Sequence, residues 1–153
     1  MTGTFRLVTS DKRRYLDLLL LADEQESMID AYLDRGDLWV LETPAGEALA
    51  VCVVTDAGGG TFEVANLAVA PAHRRAGLGA QTMRFVADRY RGRGHTLLVA
   101  TGDSPITVPF YQRCGFVVDH RVPRGIADAY DHPIYENGVQ LIDQIWLRLD
   151  LGA

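Results

Sequence analysis

One stretch of this 153-residue sequence decides its fold: Asn66-Leu67-Ala68-Val69-Ala70-Pro71-Ala72-His73-Arg74-Arg75-Ala76-Gly77-Leu78-Gly79-Ala80. The apolar residues up to Ala70 predict the end of a β-strand, Pro71 opens a loop, and a helix is expected to begin near Gly77. The first N–H groups of a helix have no partner within the helix and carry the positive end of its dipole. Glycines let a phosphate approach that backbone closely, so the stretch predicts a binding site for a pyrophosphate group.

Two other phosphate-binding turns fit this stretch poorly. A Walker A loop ends in Gly-Lys-Ser or Gly-Lys-Thr, but the one lysine of the chain is Lys12. A dinucleotide fingerprint has a third glycine three residues after the second, where this chain has Thr82. A turn that the glycines merely tighten, without a ligand, remains as the alternative.

The order of the other elements predicts a mixed sheet. Strands are expected at residues 5–9, 37–43, 48–55, 61–70, 97–100, 116–122 and 139–149, and helices from Asp11, at 25–34, from Gly77 and at 107–114, with a loop at 123–138. Hairpin signals in the first half favour antiparallel pairs, and the β-α-β crossover in the middle favours a parallel pair. We therefore expect an α/β fold, a mixed, mostly antiparallel sheet of about seven strands flanked by about four helices, in a single domain over residues 1–153.

Composition and charge narrow the class of protein. The chain is 48% hydrophobic and 23% charged, which is typical of a globular protein, and its net charge of −5 argues against a nucleic-acid partner. The sequence lacks an apolar run of the roughly 20 residues that a membrane span needs, and lacks a signal peptide pattern, so we expect a cytoplasmic protein without a membrane partner. The spacing of Cys52 and Cys114, and of the histidines and carboxylates, suggests no metal site.

Two motifs resemble the GNAT family of N-acetyltransferases. Arg74-Arg75-Ala76-Gly77-Leu78-Gly79-Ala80 resembles the Gln/Arg-x-x-Gly-x-Gly/Ala signature of that family, and Leu67-Ala68-Val69 resembles the strand segment before it. Phe110-Tyr111-Gln112-Arg113-Cys114-Gly115-Phe116 is similar to the Phe/Leu-Tyr-x-x-x-Gly-Phe element of the family. The predicted order of strands and helices is also that of the family. The resemblance covers essentially the whole chain and implies an acetyltransferase with acetyl-CoA as cosubstrate.

The resemblance also implies how the cosubstrate is held. The backbone of Leu67, Ala68 and Val69 would pair with the pantetheine arm, because this strand and the next splay apart in such folds, and an N–H near Leu67 would hold the thioester oxygen. The pyrophosphate would bind the turn, whose members are Arg74, Arg75, Ala76, Gly77, Leu78, Gly79 and Ala80, although Arg75 is equally well a solvated surface residue. Ser104 stands where the family often has a cofactor-contacting asparagine, and the neighbouring Asp103 would disfavour a phosphate there.

Two residues carry the expected proton transfers. Tyr111 occupies the position of the usual general acid of the family and would protonate the departing thiolate; the alternative is a packing role. Glu63 resembles the catalytic glutamate of one branch of the family, and it would share a strand face with Leu67 unless a β-bulge intervenes. Such a carboxylate would take the amine proton directly or through water, whereas a structural or exposed Glu63 would leave that role to a water chain.

The acceptor is less well defined by the sequence. Tyr130, His132 and Glu136 lie in a late loop and are candidate acceptor-binding residues, with His132 an alternative base; a polar surface loop is the other interpretation. The leading hypothesis is acetylation of a small amine or amino sugar by direct attack in a ternary complex. Two other functions remain alternatives: acetylation of a protein amino group, and non-catalytic sensing of acyl-CoA. Tyr111 favours catalysis over sensing. The sequence also leaves a homodimer open.

Overall fold

A seven-stranded mixed sheet lies at the centre of the protein, with an additional two-stranded hairpin beside it. The computed structural model describes residues 3–152. Its strands are β1 (Thr4–Val8), β2 (Asp37–Glu42), β3 (Ala48–Gly58), β4 (Thr61–Val69), β5 (Thr96–Gly102), β6 (Val117–Val122), β7 (Ile134–Glu136), β8 (Val139–Leu141) and β9 (Gln144–Asp150). The large sheet has the order β1-β2-β3-β4-β5-β9-β6, in which β4 and β5 pair in parallel and the other neighbours are antiparallel.

Four α-helices cover the two faces of the sheet, as predicted. They are α1 (Leu16–Ala22), α2 (Glu26–Asp30), α3 (Leu78–Tyr90) and α4 (Thr107–Arg113), and short 3₁₀ helices lie at Lys12–Tyr15 and Pro71–His73. On one face, Leu19 and Ile29 of α1 and α2 pack in the same cluster as Val53 of β3. On the other face, Met83 of α3 and Tyr111 of α4 belong to a second cluster. The sheet therefore separates an α1–α2 face from an α3–α4 face.

Three elements differ from the sequence prediction. The expected helix at 25–34 ends at Asp30, and the expected strand at 139–149 is divided into β8 and β9. Part of the expected loop at 123–138 forms β7, which pairs with β8 through Asn137 and Gly138. Both of these residues have positive φ, 49° and 76°, which is what a tight two-residue hairpin turn requires. The turn signal was visible in the sequence, but a three-residue strand is too short to show a periodic pattern.

The parallel pair β4–β5 opens along its length. Residues 61–64 of β4 pair with residues 96–99 of β5, and the pairing stops at Val64 and Val99. Beyond that point β4 continues to pair with β3 as far as Val69, and β5 continues to pair with β9 as far as Gly102. The second half of β4 therefore has a free edge in the middle of the sheet.

A glycine allows the α3–β5 connection to approach the β3–β4 turn. A Cβ atom added to Gly94 would lie 2.4 Å from the backbone oxygen of Gly60. That oxygen is held in place, because it accepts hydrogen bonds from the N–H groups of His95 (2.8 Å) and Thr96 (3.3 Å). The backbone here cannot move away without losing these bonds.

We expect Gly94→Ala to lower the free energy of unfolding by about 1–3 kcal/mol, as overpacking does. Gly92→Ala is the matched control, because a Cβ there meets no atom within 4 Å, and its effect should stay within about 0.5 kcal/mol. Urea unfolding of both variants measures the difference. Equal stabilities would contradict a close packing role for Gly94.

Candidate active site

The free edge of β4 presents backbone donors toward β5. The N–H of Ala70 donates to the carbonyl oxygen of Leu49 on the β3 side, at 2.8 Å. Because N–H directions alternate along a strand, the N–H groups of Leu67 and Val69 point the other way, into the gap between β4 and β5. An extended ligand in that gap would form hydrogen bonds with the backbone of β4, as an added β-strand does.

The turn before α3 offers a second row of free donors. Within the described part of the chain, the backbone N–H groups of residues 75–80 make no hydrogen bonds, and the first donation in this region is from Gln81 to the oxygen of Gly77, at 3.0 Å. Arg75 and Gly77 both have positive φ, 68° and 76°, so the turn folds back on itself. Arg74 and Arg75 are exposed, and neither forms an ion pair with another residue of the region 3–152. Free amides, a helix start and two guanidinium groups suit a diphosphate.

Close packing joins the two sequence motifs. A Cβ atom at Gly79 would lie 3.0 Å from the ring of Phe110, so the start of α3 sits directly on α4. Tyr111 follows Phe110 and packs edge-on against it and against Phe116, with ring centroids 5.0 and 5.5 Å away. Leu67 packs against the same cluster, as does Cys52, its partner in register on β3. The structure thus brings Tyr111 to the free segment of β4.

The Tyr111 side chain is buried, and its hydroxyl group is unpartnered in the described chain. The residue is 6% exposed, and burial, with smaller effects of Cys52 and Cys114, raises the pKa of its phenol. Its hydroxyl makes no hydrogen bond to any residue that the structure describes, yet it is not among the fully buried unpartnered atoms. A raised pKa keeps this group protonated at neutral pH, and its hydrogen is free for a ligand.

A β-bulge overturns the expected geometry of Glu63. Val53 pairs with Asn66 whereas the next residue, Val54, pairs with Val64, so Ala65 is an extra residue in β4. Side chains alternate on either side of the bulge but not across it. Leu67 consequently points to the α3–α4 face, and Glu63 does not share that face.

Glu63 instead lies on the α1–α2 face. It pairs in register with Thr55 of β3. Thr55 lies close to Gly36, in the segment that connects α2 to β2. Burial raises the pKa of the Glu63 carboxyl, and the positive charge of Arg35 opposes that effect. The carboxylate is therefore available on one side of β4 while Tyr111 is on the other.

Ser104 has partners that leave it little capacity for a cosubstrate. It is 2% exposed, and its Oγ accepts the N–H groups of Ile106 and Thr107 at the start of α4, both at 3.0 Å. The same hydroxyl donates to Glu136 Oε1 at 2.5 Å, and the Thr107 hydroxyl donates to that carboxylate at 2.9 Å. Ser104 and Glu136 thus join α4 to β7, so neither expectation, a cofactor contact or an acceptor contact, gains support from the structure.

The other two residues of the late loop lie near the loop after α1. The Tyr130 hydroxyl donates to Asp23 Oδ1 at 2.7 Å. His132 is exposed, with Nδ1 2.6 Å from Asp131 and Nε2 3.2 Å from Glu24, and the hydrogen bond to Asp131 is the main cause of its raised pKa. Tyr130 therefore points to a buried carboxylate, and His132 stays at the surface.

The structure shows three further polar residues that the sequence did not single out. Asp23 is 9% exposed and accepts the hydroxyl of Tyr32 at 2.9 Å. Asn66, 4% exposed, donates its Nδ2 to that hydroxyl and to the oxygen of Leu19, each at 3.0 Å. Burial raises the pKa of Asp23, although the hydrogen bonds from Tyr130 and Tyr32 oppose this. An asparagine inside the apolar strand next to the glycine turn was the only sequence signal for this chain of contacts.

Among residues 3–152, no group of three or more His, Cys, Asp or Glu side chains is placed to hold a metal ion. None of the helices in that range is both long and apolar enough to cross a membrane.

A split sheet with free donors on β4, a turn of free amides at the start of a helix and a buried tyrosine are the features expected of an acyl-CoA-binding acyltransferase. The Acetyltransferase (GNAT) domain family matches residues 34–118. An uncharacterized N-acetyltransferase of Bacillus subtilis strain 168, YvbK, is 36% identical over 141 residues, 88% of either chain. The chain belongs to the GNAT acetyltransferases.

Solved structures agree. An acetyltransferase of Bacillus subtilis in complex with CoA is 30% identical, with a TM-score of 0.89, over 97% of this chain and 99% of the other. A GNAT acetyltransferase of Elizabethkingia anophelis with acetyl-CoA bound is also 30% identical, with a TM-score of 0.91, over 97% of each chain. These matches confirm the predicted family, fold and enzyme class, and acetyl-CoA as the cosubstrate.

Proposed function

We propose that this enzyme transfers the acetyl group of acetyl-CoA to the primary amine of a small molecule, by direct attack in a ternary complex. The observation that carries the proposal is the run of six unpaired N–H groups at residues 75–80, together with the free edge of β4. A small acceptor is favoured over a protein because the polar side chains on the α1–α2 side of β4, Asp23 and Asn66, are more than nine-tenths buried.

The backbone would hold the cosubstrate along one continuous path. The amides of residues 75–80 would bind the pyrophosphate, and the exposed guanidinium groups of Arg74 and Arg75 would add positive charge beside it. The free backbone of Leu67, Ala68 and Val69 would pair with the pantetheine arm, which places the thioester in the gap between β4 and β5. Acetyl-CoA supplies the activated acetyl group.

The chain's own groups would then move charge and protons. The N–H of Leu67 would hold the oxygen on which negative charge develops while the amine nitrogen bonds to the acetyl carbon. As the carbon–sulfur bond breaks, the Tyr111 hydroxyl would donate its proton to the sulfur. Its raised pKa keeps the hydroxyl protonated at neutral pH, so the proton is present when the thiolate leaves.

Glu63 is proposed as the group that accepts the amine proton. It lies on the α1–α2 face, so the acceptor would enter from that face, opposite Tyr111. Four strand residues span about 13 Å, so a water between the carboxylate and the amine is needed. The raised pKa of Glu63 makes it a stronger base than an ordinary carboxylate.

We expect Ala76→Asp to weaken acetyl-CoA binding by about tenfold or more, because a carboxylate would stand at the pyrophosphate site. Ala76 is exposed and its φ is not positive, so the substitution should not strain the turn, unlike one at Gly77. Ala72→Asp, four residues earlier and also exposed, is the charge-matched control. Calorimetric titration measures both, and equal loss or no loss would refute the site.

We expect Tyr111→Phe to reduce kcat on any accepted amine by about 100-fold, with acetyl-CoA affinity and thermal stability retained. Stability should hold because the hydroxyl makes no hydrogen bond that the structure describes. Tyr135→Phe, the same change at a 57% exposed residue, serves as control. A wild-type kcat in the Tyr111 variant would leave this residue with a packing role only.

The Glu63 proposal predicts a particular change in the pH profile. Below its raised pKa the carboxylate becomes protonated, so kcat/KM of the wild type should fall as pH is lowered from neutrality. Glu63→Gln should lower the rate and abolish that acidic limb. If the limb is retained at an unchanged pH, another group is the base, and the alternatives are His132, Glu136 and bulk water.

A further inference from the structure

We infer that Asp23, Tyr32, Asn66 and Tyr130 form the acceptor subsite, and that it takes a small primary alkylamine, as its ammonium ion, that carries no carboxylate. This rests on the proposed acetyl transfer, and it adds which residues bind the acceptor and which class of amine they select. Asp23 would attract and hold the positive charge, and Asn66 would orient the nitrogen beside the thioester.

The four side chains form one continuous set of hydrogen bonds. Tyr130 and Tyr32 donate to different oxygens of the Asp23 carboxylate, at 2.7 and 2.9 Å. Tyr32 in turn accepts from Asn66 at 3.0 Å. Two hydrogen bonds therefore connect the Asp23 carboxylate to Asn66. Asn66 directly precedes Leu67, and the N–H of Leu67 faces the proposed thioester position.

Asn66 has an unpartnered atom in this set. Its Nδ2 must face the carbonyl oxygen of Leu19, which can only accept, so the orientation of the amide is fixed. Its Oδ1 is consequently left as the one fully buried side-chain nitrogen or oxygen in residues 3–152 without a hydrogen-bond partner. Such an oxygen needs a donor, and the N–H of an amine at the thioester would supply one.

Asp23 lacks a positive partner. Within the described chain it forms no ion pair, and two neutral hydroxyl groups are its hydrogen-bond donors. A buried carboxylate without a cation is unfavourable, so the structure is complementary to an ammonium ion at this point.

The surroundings of the set disfavour a negatively charged acceptor. Glu24 and Asp131 flank the surface side with His132 between them, and Glu63, whose carboxyl is near the positive charge of Arg35, lies on the same face of β4 as Asn66. A carboxylate on the acceptor would meet like charges here, whereas an uncharged alkyl chain would not. A primary alkylamine such as n-butylamine fits, and its relative 4-aminobutyrate does not.

The test is an NMR titration of ¹⁵N-labelled protein saturated with CoA, with n-butylamine hydrochloride and 4-aminobutyrate at equal ionic strength. In the wild type, n-butylamine should give saturable shifts of the amide signals of Asp23, Asn66 and Tyr130, with at least about tenfold tighter binding than 4-aminobutyrate. Asp23→Asn should weaken n-butylamine binding by about tenfold or more, because a charge-assisted contact is lost. Asp17→Asn, an exposed carboxylate on α1, is the matched control and should leave binding unchanged.

Tyr130→Phe keeps the test decisive if Asp23→Asn does not fold, since it removes a single loop hydroxyl and should weaken n-butylamine binding severalfold. In steady-state assays either variant should raise the KM for the amine more than it lowers kcat. Equal n-butylamine affinity in wild type and variants, equal affinity for the two probes, or no saturable shift would overturn the inference. If the wild type did not bind CoA, the proposed function itself would be refuted. Failure of the proposed function and failure of the acceptor subsite therefore give different results.

Discussion

The structure depends on one interruption: β4 and β5 stop pairing after Val64 and Val99 while each strand keeps its other neighbour. A sheet that loses hydrogen bonds at its centre exposes backbone groups that need partners. In this fold they lie at the end of a strand that is followed, after the 3₁₀ helix Pro71–His73, by the six free amides of residues 75–80. The proposed binding of a long, mostly uncharged arm ending in a diphosphate depends on these two rows of donors.

The bulge at Ala65 determines which side chains of β4 lie on each face of the sheet. Before it, Phe62 and Val64 pack toward α3 and α4; after it, Leu67 takes that direction and Asn66 turns toward α1 and α2. Had the side chains alternated regularly through Ala65, with no bulge, Asn66 would share the face of Phe62 and Val64, in an apolar cluster, and its amide would lack the oxygen of Leu19. The bulge therefore places Tyr111 and the buried polar chain on opposite faces of β4.

Local sequence patterns were sufficient to predict most of the fold and about half of the candidate site. The glycine turn, the Tyr111 motif and the alternation of strands and helices each lie in contiguous residues, so the sheet, its helices and acetyl-CoA as the cosubstrate could be predicted. The bulge could not, because an extra residue shows only in the register with β3. Nor could the pairing of Asp23 with Tyr130, which joins residues 107 positions apart.

Three features near the gap lower stability rather than raise it. The free edge of β4 forgoes hydrogen bonds, Asn66 Oδ1 is buried without a donor, and Asp23 is buried without a cation in the described chain. Each costs free energy that an apolar or fully paired replacement would recover. They lie within a few residues or hydrogen bonds of Leu67, whereas the clusters of apolar residues elsewhere are closely packed. Such local departures from good packing are expected where a protein binds ligands. The proposed ligands would supply the missing partners: strand-like pairing for β4, a donor for Asn66 and a positive charge for Asp23.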